Sequence, residues 1–265
     1  MGKVFFTSDL HFGHESSIFF DKREFKTVEE MDEELIRRWN AKVGKGDLVY
    51  VIGDFIWKSY HEEAKNLIKR LNGQIILIKG NHDKFLANSA AKKALAGIKE
   101  KDDICVTLED GTKRRCILDH HYTPFYDGFR YGAIHLHGHS HLSKEAEYER
   151  YITAGLQLAG FKVEIYNVGC MYWNYEPVTL DEILAANRKE LAPSYKKLFF
   201  RLIDMDMTKS DLSKKAEVSQ STISKMARGY KVSDETVRKI ANALNCKVED
   251  IMEYIEVSHG KKQNQ

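Results

Sequence analysis

The ten residues QIILIKGNHD, Gln74 to Asp83, join a short apolar run to a glycine, an amide, an imidazole and a carboxylate. Four consecutive apolar residues, mostly β-branched and bounded by polar ones, read as a buried strand that stops at the glycine. The same arrangement recurs on both sides of it. KVFF (3–6) runs into TSDLH (7–11), DLVYVI (47–52) into GD (53–54), RCIL (115–118) into DHH (119–121), and GAIHL (132–136) into HGHSH (137–141). Between these runs lie helical patterns. TVEEMDEELIRRWNAKV (27–43) carries acids early and apolar residues at helical spacing, and SYHEEAKNLIKRLNG (59–73) stops at Asn72-Gly73. Strands alternating with helices indicate an α/β layered fold.

Binding groups in such sheets collect at the carboxyl ends of the strands, where loops converge on a rigid base. One Asp after a strand is ordinarily a turn residue or a helix cap. Five successive strand ends rich in Asp, His and Asn are poorly explained in that way. The candidate ligands are Asp9, His11, Asp54, Asn81, His82, His120 or His121, His139 and His141. Carboxylate, imidazole and amide oxygen without thiolate suit Mn, Fe, Zn or Co. Eight such groups exceed what one catalytic ion with an open position requires; they suit two ions roughly 3.5–4 Å apart sharing a carboxylate.

Composition sets the outer bounds. With 265 residues the chain has room for one large domain or two smaller ones, and 43% hydrophobic with 30% charged residues is ordinary for a soluble globular protein. Net charge is +2, but residues 191–265 carry 14 Lys+Arg against 10 Asp+Glu, whereas residues 1–190 carry 27 against 29. That mild asymmetry is compatible with a nucleic-acid-binding tail. Cys105, Cys116, Cys170 and Cys246 show no CxxC spacing, which argues against a disulfide framework or a cysteine zinc site and suits a reducing compartment. The N-terminal apolar run is too short for a secretion signal, and no stretch approaches the roughly 18 apolar residues of a membrane span. The expectation is a cytoplasmic protein without a membrane partner.

SDLH, GD, GNHD, a strand-end histidine and GHSH, in this order, resemble the calcineurin-like metallophosphoesterases over about residues 3–190. SDLHFGH and NVGCMYWNYEPVTLDEI resemble the small bacterial and phage-type members. The resemblance implies a layered β-sandwich flanked by helices. It implies that Asp9, His11 and His141 bind one metal ion, that Asn81, the fourth-motif histidine and His139 bind the other, and that Asp54 bridges them. It also implies that His82 stands near the phosphate as general acid or transition-state stabiliser, with Asp83 orienting its ring. The chemistry would be in-line attack on a phosphate ester, a phosphodiester by preference, by hydroxide drawn from water shared by two divalent ions. The family has one His before Tyr-Pro where this chain has LDHHYTPF. His120, two residues after Leu118, is the favoured ligand; His121, which precedes Tyr122, is the alternative. His135 and His137 are assigned to the strand and its packing. His14, His61, Trp57, Tyr126, Trp173, Tyr175 and Lys79 are left as loop, surface or packing residues.

After Pro193-Ser194 the pattern changes to short helices. Leu212 and Ala216 share a helix face, Ser219 caps the next helix, and Ile223 and Met226 face inward, as in a helix-turn-helix. TKSDLSKKAEVSQSTISKMARG resembles the lambda-repressor/Cro-like helix-turn-helix family over about residues 195–256. That resemblance implies an all-α DNA-binding domain in which Gln220, Ser221, Thr222, Ser224 and Lys225 face the major groove or its phosphates. Lys225 and Arg228 would meet phosphates; the alternative is that this domain mediates protein contacts or dimerisation, as a route to a homodimer, rather than DNA binding. Lys209 stands where the family has Gln, and Glu217 where it has the turn Gly, a poor residue for positive φ.

The expected organisation is therefore a phosphoesterase domain over 1–192, a helix-turn-helix domain over 193–256 and a frayed tail over 257–265. The leading functional expectation is a dinuclear-metal phosphoesterase with a DNA-binding or regulatory tail. The alternatives are a transcriptional regulator whose first domain senses a metal or nucleotide without turnover, and a nuclease steered by its tail.

Overall fold

Each of the five apolar runs forms a strand. The structure is a computed structural model that describes residues 2–57, 63–187 and 190–257. His61 lies outside the described residues, as do residues 258–265 of the expected tail. In the first unit the strands are β1 (Val4–Thr7), β2 (Leu48–Ile52), β3 (Gln74–Ile78), β4 (Gly97–Lys99), β5 (Asp102–Thr107), β6 (Lys113–Leu118), β7 (Ile134–His137), β8 (Glu164–Asn167) and β9 (Val178–Thr179). Its helices are α1 (Glu15–Phe20), α2 (Val28–Lys42), α3 (Ala64–Arg70), α4 (Ser89–Lys92), α5 (Lys144–Leu158) and α6 (Leu180–Ala186).

Two sheets form. One has the order β4-β3-β2-β1-β9, parallel except for β9; the other has the order β5-β6-β7-β8, with β5 antiparallel and the rest parallel. Side chains alternate across a strand, so each strand of the first sheet feeds two cores. Phe5, Val49, Val51, Ile75 and Leu77 pack with Leu35 and Trp39 of α2 and Leu67 and Ile68 of α3. Phe6, Tyr50, Ile52 and Ile78 pack with Cys116, Leu118, Ile134 and Leu136 of the second sheet. Burial on both faces is why these strands read as unbroken apolar runs. Each fully buried side chain of this size contributes about 1.5–3 kcal/mol. The fold is thus mixed α/β, with two facing sheets and helices on the outer face of the first.

The second unit contains β10 (Glu190–Ser194), α7 (Lys196–Asp204), α8 (Lys209–Ala216), α9 (Gln220–Ala227), α10 (Asp234–Ala243) and β11 (Glu253–Val257). The two units divide at Ala186/Asn187, earlier than the expected break at 192/193. The reason is β10, which pairs antiparallel with β11 across the expected boundary. This unit is therefore helical with one two-stranded ribbon, not all-α as expected, and Val257 belongs to the ribbon. Pro193 is accommodated because a two-stranded ribbon has only edge strands. The helical core is Leu198, Leu202, Leu212, Ala216, Ile223, Met226, Val237 and Ile240. Among the described residues no helix is long and apolar enough to cross a membrane.

Candidate metal centre and DNA-binding helices

The loop after β1 is laced to the loop after β2. Asp9 N donates to Gly53 O (3.1 Å), His11 N to Asp54 O (3.0 Å), and Ser8 Oγ to Ile52 O (2.5 Å). The loop after β3 is tied in by Asp83. Its buried carboxylate accepts from the amides of Asp54 (3.1 Å), Phe55 (2.8 Å) and Gly80 (2.7 Å). Asp83 is therefore placed to clasp two strand ends, rather than to orient the His82 ring as expected, because its oxygens are committed to backbone N–H groups. Burial pushes its carboxyl up to about 6, against the pull of those amides. The loops meet so closely that a Cβ at Gly80 would collide with the Asp54 carboxylate, and one at Gly138 with Ser8 and Asp9. Glycine is required at both positions.

Five of the candidate ligands, Asp9, His11, Asp54, His139 and His141, adopt φ between +49° and +71°. Left-handed backbone is uncommon outside glycine and persists where surrounding structure enforces it. The residues so placed alternate along two of the loops, Asp9 with His11 and His139 with His141.

The inward atoms form two adjoining groups. In the first, His11 Nε2 lies 3.1 Å from His141 Nε2 and 3.6 Å from Asp54 Oδ2, and His141 Nε2 lies 3.5 Å from Asp9 Oδ1. In the second, Asn81 Oδ1 lies 3.1 Å from His120 Nε2 and 3.0 Å from His139 Nδ1. Asp54 Oδ2 stands between them, 3.6 Å from His11 Nε2 and 3.6 Å from His120 Nε2. Ligand atoms on one ion with bonds near 2.1 Å are separated by about 3.0–3.4 Å, so the nitrogen and amide spacings of 3.0–3.1 Å fit an ion and the carboxylate spacings of 3.5–3.6 Å fit after shifts of a few tenths of an ångström. Two imidazole nitrogens 3.1 Å apart cannot both present bare lone pairs to each other; a proton or a cation must lie between them.

His120 and His121 differ in burial and in partners. His120 donates Nδ1–H to Ile52 O (2.8 Å), which leaves Nε2 facing Asp54 and Asn81. His121 is exposed, its ring 4.5 Å from that of His139, and its nitrogen joins those of His120 and His139 in one cluster at the rim. His82 donates its backbone amide to Asp54 Oδ1 (2.8 Å), leaving Oδ2 to the central position. Its ring sits beside Trp57, at 4.8 Å, and His11, at 5.8 Å.

Electrostatics follow from burial and pairing. Burial opposes ionisation of Asp54, but the His120 and His11 rings and the His82 amide hold its carboxyl well below the usual range. Burial likewise opposes charging His120, and Asp54 and Asp9 outweigh it, raising its pKa. Burial raises Asp9 and lowers His11 and His139.

Two residues here carry no sequence signal. Asp21 accepts from His141 Nδ1 (2.9 Å). Arg23 donates Nε and Nη2 to Asp21 Oδ2, Nη2 to Asp9 O and Nη1 to Leu10 O. Both side chains are wholly buried. The relay fixes the His141 tautomer and aims Nε2 inward. Of the residues left unassigned by sequence, His14 and Trp57 also border the cluster, stacked at 3.7 Å with His14 Nδ1 3.4 Å from His11 Nδ1. Burial lowers the His14 pKa to about 4. Lys79 pairs with Glu100 at the surface, Tyr126 is buried packing, and Trp173 and Tyr175 are half-buried packing. His135 and His137 are buried in β7, beside Tyr126 and Tyr122 respectively.

The chain is 35% identical over 187 residues to the uncharacterized protein MJ1445 of Methanocaldococcus jannaschii, covering 69% of this chain and 90% of that protein. The chain belongs to the MJ1445 family. Gene 66 protein of Mycobacterium phage L5 is 38% identical over 85 residues, 31% of this chain and 41% of the phage protein. The solved structure of AQ665 from Aquifex aeolicus, a protein of unknown function, superposes with a TM-score of 0.50 at 22% identity, covering 69% of this chain and 98% of that one. That likeness places the first unit of this MJ1445-family member in a known fold and says nothing of its chemistry.

Residues 197–256 match the Cro/C1-type HTH DNA-binding domain. The second unit is such a domain, and it indicates a regulatory role. Thr208 caps α8 through a capping box with Asp211, and Ser219 caps α9, accepting from Thr222 N. Glu217 takes the left-handed turn position at φ +52°. Gln220, Ser221, Ser224 and Lys225 are exposed along α9. Thr222 is half-buried and spends its hydroxyl on Ser219 (2.8 Å), while Gln220 donates to Ser210 (3.1 Å). Arg228 donates to Ser224 O, and Lys209 lies over the Phe199 ring.

Proposed function

We propose that the MJ1445-family unit is a dinuclear-metal phosphoesterase acting on a phosphate ester, by preference a phosphodiester, and that the Cro/C1-type unit brings it to DNA. One observation carries the reading: Asp54 Oδ2 lies equally far, 3.6 Å, from an imidazole nitrogen of each ligand group. A carboxylate so placed could serve an ion on either side, which is what a two-ion site would need. Asp9, His11 and His141 would hold one ion; Asn81, His120 and His139 would hold the other. Bound there, two divalent ions of Mn, Fe, Zn or Co type supply charge that neutralises the phosphate oxygens and lowers the pKa of a shared water.

The chain's own residues do the rest. Asp21 and Arg23 hold His141 and the Asp9 backbone rigid, so the ligand geometry is set before substrate arrives. His82 stands beside the first ligand group with its backbone fixed by Asp54, and its imidazole hands a proton to the departing ester oxygen. His121, exposed beside His139, borders the opposite end of the cluster and contacts the substrate there. Exposed Gln220, Ser221, Ser224 and Lys225 on α9 meet the DNA, and the regulatory role makes the cytoplasm the fitting compartment.

The test is metal titration together with hydrolysis of bis(p-nitrophenyl) phosphate. Two ions per chain are expected, with turnover dependent on them. His82→Ala should retain both ions and lose about 10²–10⁴-fold in kcat. Two bound ions without turnover under any of the four metals would instead favour a metal- or nucleotide-sensing regulator, the reading that the DNA-binding unit by itself supports.

A further inference from the structure

Helix α5 follows the GHSH loop directly and is apolar on two opposite faces. Its inner face carries Ala146, Thr153 and Leu156, with Thr153 hydrogen-bonded to Tyr122 (2.9 Å). Of its fifteen residues only Ala146 is buried. The outer face carries Tyr148 (66% exposed), Tyr151 (71%), Ile152 (47%) and Leu158 (90%). Spacings of three, four and seven residues place them on one stripe, which runs through Gly155. Phe161 extends it beyond the helix end, where it packs on the exposed Phe125 at 5.7 Å. Charged residues such as Glu147 and Arg150 separate this stripe from the packed side of the helix, and a contiguous exposed apolar patch of this kind marks an interaction surface.

We infer that a second copy of this chain covers the outer face of α5, by antiparallel packing about a two-fold axis. Two observations select that occupant. The exposed parts of these six side chains amount to roughly 700 Å², near the roughly 800 Å² per partner of a standard stable interface. The chain also carries a Cro/C1-type domain, and helix-turn-helix units read DNA as two-fold pairs on two half-sites. A two-fold contact uses the same patch twice, as a single self-complementary stripe requires. Gly155, in the middle of the stripe, fits the same geometry. A Cβ there would meet nothing within 4 Å, so the free chain has no steric need for glycine, whereas a closely approaching helix does. With the axis at the level of Thr153, Tyr151 lies over the partner's Gly155. The inference is independent of any hydrolytic activity at the metal centre.

Sedimentation of the full chain from about 1 to 100 µM, without DNA, tests it. Wild type is expected to sediment as a dimer. Tyr151→Glu combined with Leu158→Glu, both on exposed positions, is expected to raise the dimer dissociation constant at least about 100-fold. Gly155→Leu, which the free helix accommodates, is expected to weaken the dimer as well. A monomeric wild type overturns the inference, since the face would then await another partner. A dimer that survives either variant overturns it too, since the contact would lie elsewhere.

Discussion

At the scale of single residues, the relay from Arg23 through Asp21 to His141 has the clearest consequence. An imidazole donating Nδ1–H to a carboxylate is a better ligand at Nε2 and is held in one orientation. Asp21→Asn keeps an acceptor but removes the charge that both His141 and Arg23 face. Calorimetric titration with Mn²⁺ should show the first site weakened about 10–100-fold, with the second less affected. Unchanged affinity at both sites would remove Asp21 from the centre. The candidate ligands were legible because each follows an apolar run and a turn. Asp21 was not, because its contact with His141 spans 120 positions and nothing in SIFFDKREF marks it. The difference between His120 and His121 was hidden in sequence for a related reason: the contact of His120 Nδ1 with Ile52 O, which buries that ring, spans 68 positions.

At the scale of elements, the pattern reading succeeded where burial is two-sided and failed where it is one-sided or short. β1, β2, β3 and β7 are buried along nearly their whole length, so periodicity and composition agree. β5 exposes every second residue and is rich in acid, and β9 has only two residues. The missed β10–β11 ribbon moved the unit boundary. In the second unit the helix caps were readable, and so was the conflict at Glu217. That residue sits at φ +52°, where an L side chain costs about 1–2 kcal/mol and glycine almost nothing. Glu217→Gly should stabilise the unit by about 1 kcal/mol in thermal denaturation of the full chain. A lower melting temperature would mean that the side chain makes a contact the free unit needs.

At the scale of the molecule, stability and pH are linked through α5. Glu149 on its inner face accepts from Ser140 Oγ (2.7 Å), between His139 and His141. Burial, with the charges of Glu145 and Asp9, lifts its carboxyl to about 7 despite the Ser140 hydrogen bond. A raised carboxyl prefers its proton in the folded state. Its contribution is therefore complete below the ordinary value near 4.5 and is lost as pH rises through about 7. In chelator, Glu149→Gln and wild type should melt together at pH 4.5, and the variant should melt higher at pH 8. Equal melting at pH 8 would show that the carboxylate is already relaxed by solvent.

The sequence by itself determined which residues stand at the strand ends, that two kinds of unit share the chain, and that the second caps its helices as a helix-turn-helix. These are local facts, written in periodicity and in the residues that stop a strand or start a helix. Tertiary structure alone decided that Asp54 stands midway between two clusters of candidate ligands, that Asp83 clasps backbone instead of a ring, and that α5 keeps an uncovered apolar face. Those depend on how loops far apart in the chain are brought together and on which face a neighbour leaves exposed, and no local pattern records either.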